Sequence, residues 1–269
     1  MSGLRHLKLL LKPVAIVLGI VVIFYAGYEL AIFQAEKNNL TFTLPHINFT
    51  SSSSDGNCPP GEYYGYPPLA NPTRMVCLAP GPIDKPVIYL YPSHPQNIDV
   101  KVAYAGGLSR TIPTYSLQTG WQVVAQPNGS LTDLANGKTY PDLVWEGKPD
   151  PSLFHFDMSK GFVVAGSNTE AFLQEKLTAM GLNRSETSGF IAFWLPKMEH
   201  DPYNLIHFAG SEYTNAVKLN ITPQPDTILR VFMVFSSLRH PINITPQSFK
   251  PFRRQGFTVV EWGGTELVN

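Results

Sequence analysis

The sequence predicts an α+β fold: an antiparallel β-rich module, then a mixed α/β half, preceded by one transmembrane helix. Three observations lead there. Val14 to Phe33 is apolar but for Glu29. Residues 86 to 147 carry short strand patterns separated by Gly-Gly and Asn-Gly pairs. Between Ser167 and Phe193 the apolar residues recur every three or four positions, the spacing of one helix face.

The elements follow in chain order. Residues 1–13 form a basic tail holding Arg5, Lys8 and Lys12. Residues 14–33 are the anchor, since about 20 apolar residues at 1.5 Å each span a hydrocarbon core. Only Lys37, beside Glu36, follows closely. The charge asymmetry puts the N-terminus in the cytoplasm and the remainder outside. Tyr25 and Tyr28 suit the outer interfacial belt. A cleaved signal peptide is the rival reading. It needs a shorter apolar run and a small-x-small exit, and the pairs Tyr25/Gly27, Glu29/Ala31 and Phe33/Ala35 each include a large or charged residue.

Residues 34–57, rich in Ser, Thr and Asn, read as a flexible stalk. Cys58 and Cys77 are the only cysteines and flank the proline-rich loop 58–77. Two lone cysteines around such a loop are expected to pair in an oxidising compartment. Closing a loop of about 20 residues contributes roughly 3 kcal/mol in the chain-entropy view. A metal site would need further ligands nearby.

A β-rich module is expected over 78–160. Val87 to Tyr91 is a continuous apolar run between Pro86 and Pro92, while Ile98, Val100, Val102 and Tyr104 alternate with polar or small residues. Trp121 to Gln126 and Leu143 to Trp145 continue the series, with hairpin turns expected at Asn128-Gly129 and Asn136-Gly137. An α+β module packed against it is expected over 161–269. Gly161 to Ala165 is a strand. Ser167 and Glu170 suggest a capping box for a helix carrying Phe172, Leu173, Leu177 and Met180 and stopped by Gly181. A second helix spans Ser185 to Phe193. Strands return at Leu205 to Phe208, Ala216 to Ile221, Ile228 to Phe235 (a central strand by its apolar content) and Phe257 to Trp262.

Composition narrows the partners. Lys+Arg 20 and Asp+Glu 20 balance, and charged residues are only 15% of the chain. Beyond the N-terminus no basic run exists, which argues against nucleic acid. Neither phosphate-cradling glycine motif is present, so no nucleotide and no cofactor is expected. A Gly-x-Ser-x-Gly elbow is absent as well.

Several strings occur together: Lys85-Pro86-Val87-Ile88-Tyr89-Leu90-Tyr91-Pro92, Gly120-Trp121, Val144-Trp145-Glu146-Gly147, Trp194-Leu195-Pro196, Arg230 to Met233, and Gly256 to Gly264. The set resembles one shared by uncharacterised bacterial extracytoplasmic proteins. The resemblance covers roughly residues 85 to 264 and implies compartment and domain extent, without an activity.

Two readings of function follow. In the first, the anchor fixes to the membrane a binding or structural module for a cell-surface polymer or protein. Trp121, Trp145, Trp194 and Trp262 would be its ring-stacking candidates, against the plainer reading that they are core. In the second, Glu146 and Glu261, each beside a tryptophan, are the acid and base of an envelope-glycan hydrolase. The plainer reading there is that each pairs with an arginine such as Arg230. His155, Asp157, Glu199, His200, Asp201 and His207 are scattered and lack the helical spacing of a zinc protease, so no metal is expected. Asn39, Asn48, Asn128, Asn183, Asn220 and Asn243 open Asn-x-Ser/Thr tripeptides.

Overall fold

A computed structural model describes residues 62–65 and 76–268. The tail at 1–13, the anchor at 14–33, the stalk at 34–57 and Cys58 lie outside the described residues, so the Cys58–Cys77 pairing does too. Among the described residues no helix is long and apolar enough to cross a membrane.

Continuous apolar runs and alternating runs go to different places. In chain order the strands are β1 (Tyr63–Gly65), β2 (Val76–Pro80), β3 (Asp84–Tyr91), β4 (Gln96–Tyr104), β5 (Leu108–Ile112), β6 (Trp121–Ala125), β7 (Leu131–Asp133), β8 (Thr139–Tyr140), β9 (Leu143–Gly147) and β10 (Phe162–Ala165). Helices α1 (Thr169–Met180) and α2 (Arg184–Trp194) follow. Then come β11 (Tyr203–Ala209), the short helix α3 (Ser211–Ala216), β12 (Val217–Thr222), β13 (Thr227–Leu238) and β14 (Thr258–Val268).

The strands form two sheets. The larger has the order β10-β11-β13-β14-β3-β9-β5, with β2 joining β14 and β1 joining β2. The smaller has the order β12-β4-β6-β7-β8. Both draw strands from either side of residue 160. The pairs are antiparallel except β13 with β14, which run parallel.

The result is three layers. Ile88, Leu90, Leu143, Trp145, Phe232, Val234 and Val259 point from the larger sheet toward Ile98, Val100, Trp121, Val123 and Val217 of the smaller. Their neighbours Val87, Val144, Val231, Met233, Phe235 and Trp262 face Leu173, Leu177, Phe190 and Trp194 of the helices. Alternation along each strand produces this division. The larger sheet is therefore buried on both faces, and its strands read as apolar runs. The smaller keeps one wet face and reads as alternation.

The helix starts differ from expectation at one place. Ser167 and Glu170 form no capping box; α1 starts after a 3-10 turn, from Asn168, without a side-chain cap. The chain enters there over Gly166, whose N–H bonds Pro202 O and whose position leaves no room for a Cβ against Asp201 O. The box appears on α2 instead, between Asn183 and Glu186. Gly181 ends α1 at φ 109, a left-handed conformation that favours glycine.

Candidate functional site

Strand register decides where the two carboxylates go. Arg230 on β13 stands directly opposite Glu261 on β14. Both point inward between the sheets, where Glu261 is 1% and Arg230 9% exposed at the side chain. Arg230 Nε donates to Glu261 Oε2 at 2.6 Å, and Trp145 Nε1 donates to Oε1 at 3.3 Å. Arg230 Nη1 donates to Val217 O at 2.8 Å, which ties the larger sheet to the smaller. The guanidinium lies over the Tyr213 ring at 4.8 Å, and that ring stacks on Phe232 at 3.9 Å. Burial, reinforced by Glu261, pushes the Tyr213 hydroxyl well above its ordinary range. Burial pulls Arg230 down, but Glu261 and Tyr213 outweigh it and hold the guanidinium charged. This is a closed polar cluster in the inter-sheet core.

Glu146 sits one residue beyond Trp145 on β9 and so faces the other side of the sheet. Its carboxylate takes Arg110 Nη1 at 3.1 Å. The structure does not bring Glu146 and Glu261 together: they lie on opposite faces, and each is neutralised by its own arginine. A shared acid–base cleft is not formed.

The tryptophans are core. Trp121 donates to Pro113 O at 2.9 Å and meets Tyr115 edge-on at 4.8 Å. Trp145 belongs to the same inter-sheet core; Trp194 and Trp262 fill the helix-side core with Phe190 between them and Phe235 edge-on to Trp194. All four are buried, so none offers a face to a ring ligand.

Among the scattered ligand types, His155 and His200 are exposed. His207 is buried on β11, with Nδ1 on Lys160 O at 2.8 Å and Nε2 on Glu212 Oε2 at 3.0 Å. Glu212 Oε1 accepts from the Asp157 N–H. Burial would raise the Glu212 carboxyl, but those hydrogen bonds prevail and hold it below its ordinary value. Among the described residues no three His, Cys, Asp or Glu side chains are grouped to hold a metal.

A cleft of about 420 Å³ opens to solvent at the end of the larger sheet. One wall is β10, the terminal strand. Another is α1, with Phe172, Glu175 and Lys176; the third is the segment Ile242 to Pro246. Phe162 and Phe172 pack at 5.1 Å between ring centres, and Lys176 Nζ lies 5.4 and 5.8 Å from the two rings. Lys176 also pairs with Glu175 at 2.8 Å. The Gly161 N–H donates to Thr245 O at 2.9 Å, so the third wall is fastened to the strand at its start. Beyond that point the outward backbone of Val163 faces the cleft, because only alternate residues of an antiparallel edge strand bond its neighbour. The volume falls in the range of small-ligand sites, and apolar walls with few polar groups are usual there. Phe172 and Lys176, four apart on α1, carried the sequence trace of this site. The third wall comes from a loop some 70 residues away, which no local pattern ties to α1.

Comparison with known proteins adds one likeness. Over 64 residues the chain is 42% identical to "Uncharacterized protein in bglA 3'region" of Butyrivibrio fibrisolvens, covering 23% of this chain and 65% of that protein. The chain thus spans just under two thirds of that relative. No known family profile matches the sequence. No solved structure matches it.

Proposed function

We propose that this chain is a membrane-anchored, extracytoplasmic binding module, and that its ligand site is the cleft between β10, α1 and the Ile242 to Pro246 segment. The cleft carries the reading. It combines apolar ring surface, one ammonium and one carboxylate, and unbonded strand backbone in a single concavity. Such a surface holds an elongated envelope ligand, a polymer or a segment of another protein, and supplies no nucleophile. Val14 to Phe33 with its basic flank supports the anchor, and the shared strings support the compartment. The paired-carboxylate hydrolase loses its basis, since Glu146 and Glu261 face opposite ways.

Binding of the full chain to purified envelope polymers and surface proteins tests the site. Phe172→Ala should weaken whatever binds by about tenfold or more, at about 1–2 kcal/mol for a buried aromatic contact. Lys176→Glu should weaken an anionic ligand further. A ligand whose affinity is untouched by both substitutions places the site elsewhere. The compartment has its own check: thiol labelling of the unreduced chain should find neither Cys58 nor Cys77 free, and two reactive thiols would refute an oxidising exterior.

A further inference from the structure

The His207 ring bonds acceptors on both sides. Its Nδ1 faces a backbone carbonyl, that of Lys160, which can only accept. Its Nε2 faces Glu212 Oε2, and the other oxygen of that carboxylate already accepts from the Asp157 N–H. With Glu212 ionised, its carboxyl being held below its ordinary value, both contacts are satisfied together only when both ring nitrogens carry hydrogen. The ring is 2% exposed, so water cannot stand in for a lost partner.

We infer that protonated His207 is a pH-sensitive latch on the third wall of the cleft. The inference rests on the cleft being the ligand site. The connection is short. Lys160, whose carbonyl the ring holds, forms a bridge with Thr245, and the next residue, Gly161, donates to the Thr245 carbonyl. Gly161, Ile244 and Pro246 line the cleft. The charged groups facing the ring are Glu212 from α3 and, from the preceding loop, Asp157 and Lys160, paired with each other at 2.8 Å. Val234 stands opposite on β13, and the Phe156 ring lies at 6.5 Å. When the ring loses a proton, one N–H remains for two acceptors. Either the Lys160 carbonyl or the Glu212 carboxylate then faces a bare nitrogen lone pair, and the contact turns repulsive. Rising pH therefore releases the carbonyl or the helix, and the wall loosens.

The test uses the full chain in lipid nanodiscs with histidine labelled in ¹⁵N, His207 being assigned by its loss in His207→Gln. Across a pH series the ring should pass from two protonated nitrogens to one. Amide exchange in Ser159–Val163 and Ile242–Gln247, corrected for its intrinsic pH dependence, should rise severalfold over the same span. In Glu212→Gln the amide can donate to a neutral Nε2, so the wall should stay closed and its exchange become flat. A singly protonated ring throughout, or wild-type exchange that ignores the ring's titration, overturns the latch. None of these readouts needs a ligand, so a cleft that binds nothing would refute the binding role and leave the latch standing.

Discussion

At the scale of single residues, the Arg230–Glu261 pair is the most consequential contact in the inter-sheet core. Two charges taken out of water repay their desolvation only in part through hydrogen bonds, here by Trp145, Val217 O and each other, with Arg230 Nη2 left without a partner. Removing one partner strands the other. Arg230→Met should therefore destabilise the domain by about 3–5 kcal/mol in denaturant unfolding, because Glu261 is left buried and charged. The double change Arg230→Met with Glu261→Leu should recover most of that loss. A double variant no more stable than Arg230→Met alone would mean that the pair stabilises the fold outright. The sequence already offered Arg230 as the partner of a glutamate; the aromatic cage of Trp145 and Tyr213 was hidden, since Trp145 and Glu261 are 116 residues apart and Tyr213 comes from a short helix off the sheet.

At the scale of elements, local chemistry and tertiary contact compete, and α1 and α2 show each winning once. On α2 the Asn183–Glu186 box forms, and Glu186 is further held by Arg254 and by the Tyr91 hydroxyl at 2.8 Å. Asn183→Ala should cost about 1 kcal/mol by the loss of one cap bond. On α1 the sequence cue Ser167-x-x-Glu170 is idle, so Ser167→Ala should leave the midpoint of unfolding unchanged. A cost similar to that of Asn183→Ala would show that the cue operates. Strand starts were legible to within three residues because each strand buries a fixed face, but β13 and β14 run on to Leu238 and Val268, past the expected ends at Phe235 and Trp262. Even sheet membership was written in the pattern: Val87 to Tyr91, Ile228 to Phe235 and Phe257 to Trp262 are mainly apolar on both faces, Arg230, Thr258 and Glu261 apart, and lie in the doubly covered sheet. Alternating Ile98 to Tyr104 lies in the outer one. The short strands β1, β2, β5, β7 and β8 and helix α3 escaped notice because two to six residues carry too few apolar positions to show a period.

For the molecule as a whole, acid should be destabilising by a route the structure specifies. Glu212 binds its proton less readily when folded than when unfolded, held down by His207 and the Asp157 N–H against the effect of burial. A carboxyl lowered in this way stabilises above its unfolded value of 4.5, and that contribution is lost as pH falls through the folded one. Asp142, Asp201 and Glu266 act in the opposite sense: burial raises each, so their protonation favours the folded state. Thermal unfolding should thus show a fall in Tm below about pH 4.5 that is shallower in Glu212→Gln. An acid limb identical in the variant would mean that other groups set it. The cleft was the least legible feature at this scale, since its walls come from a strand, a helix and a distant loop that meet only after both sheets are built.

The position of β14 carries a further consequence. It pairs with β13 on one side and β3 on the other, at the centre of the larger sheet, yet among the described strands it is made last. While a ribosome is still holding those residues, the sheet lacks its middle, and β3 and β13 have no partner between them. The larger sheet can then close only after Thr258 to Val268 have been made, and deletion of that strand should leave the chain a substrate for quality-control proteases.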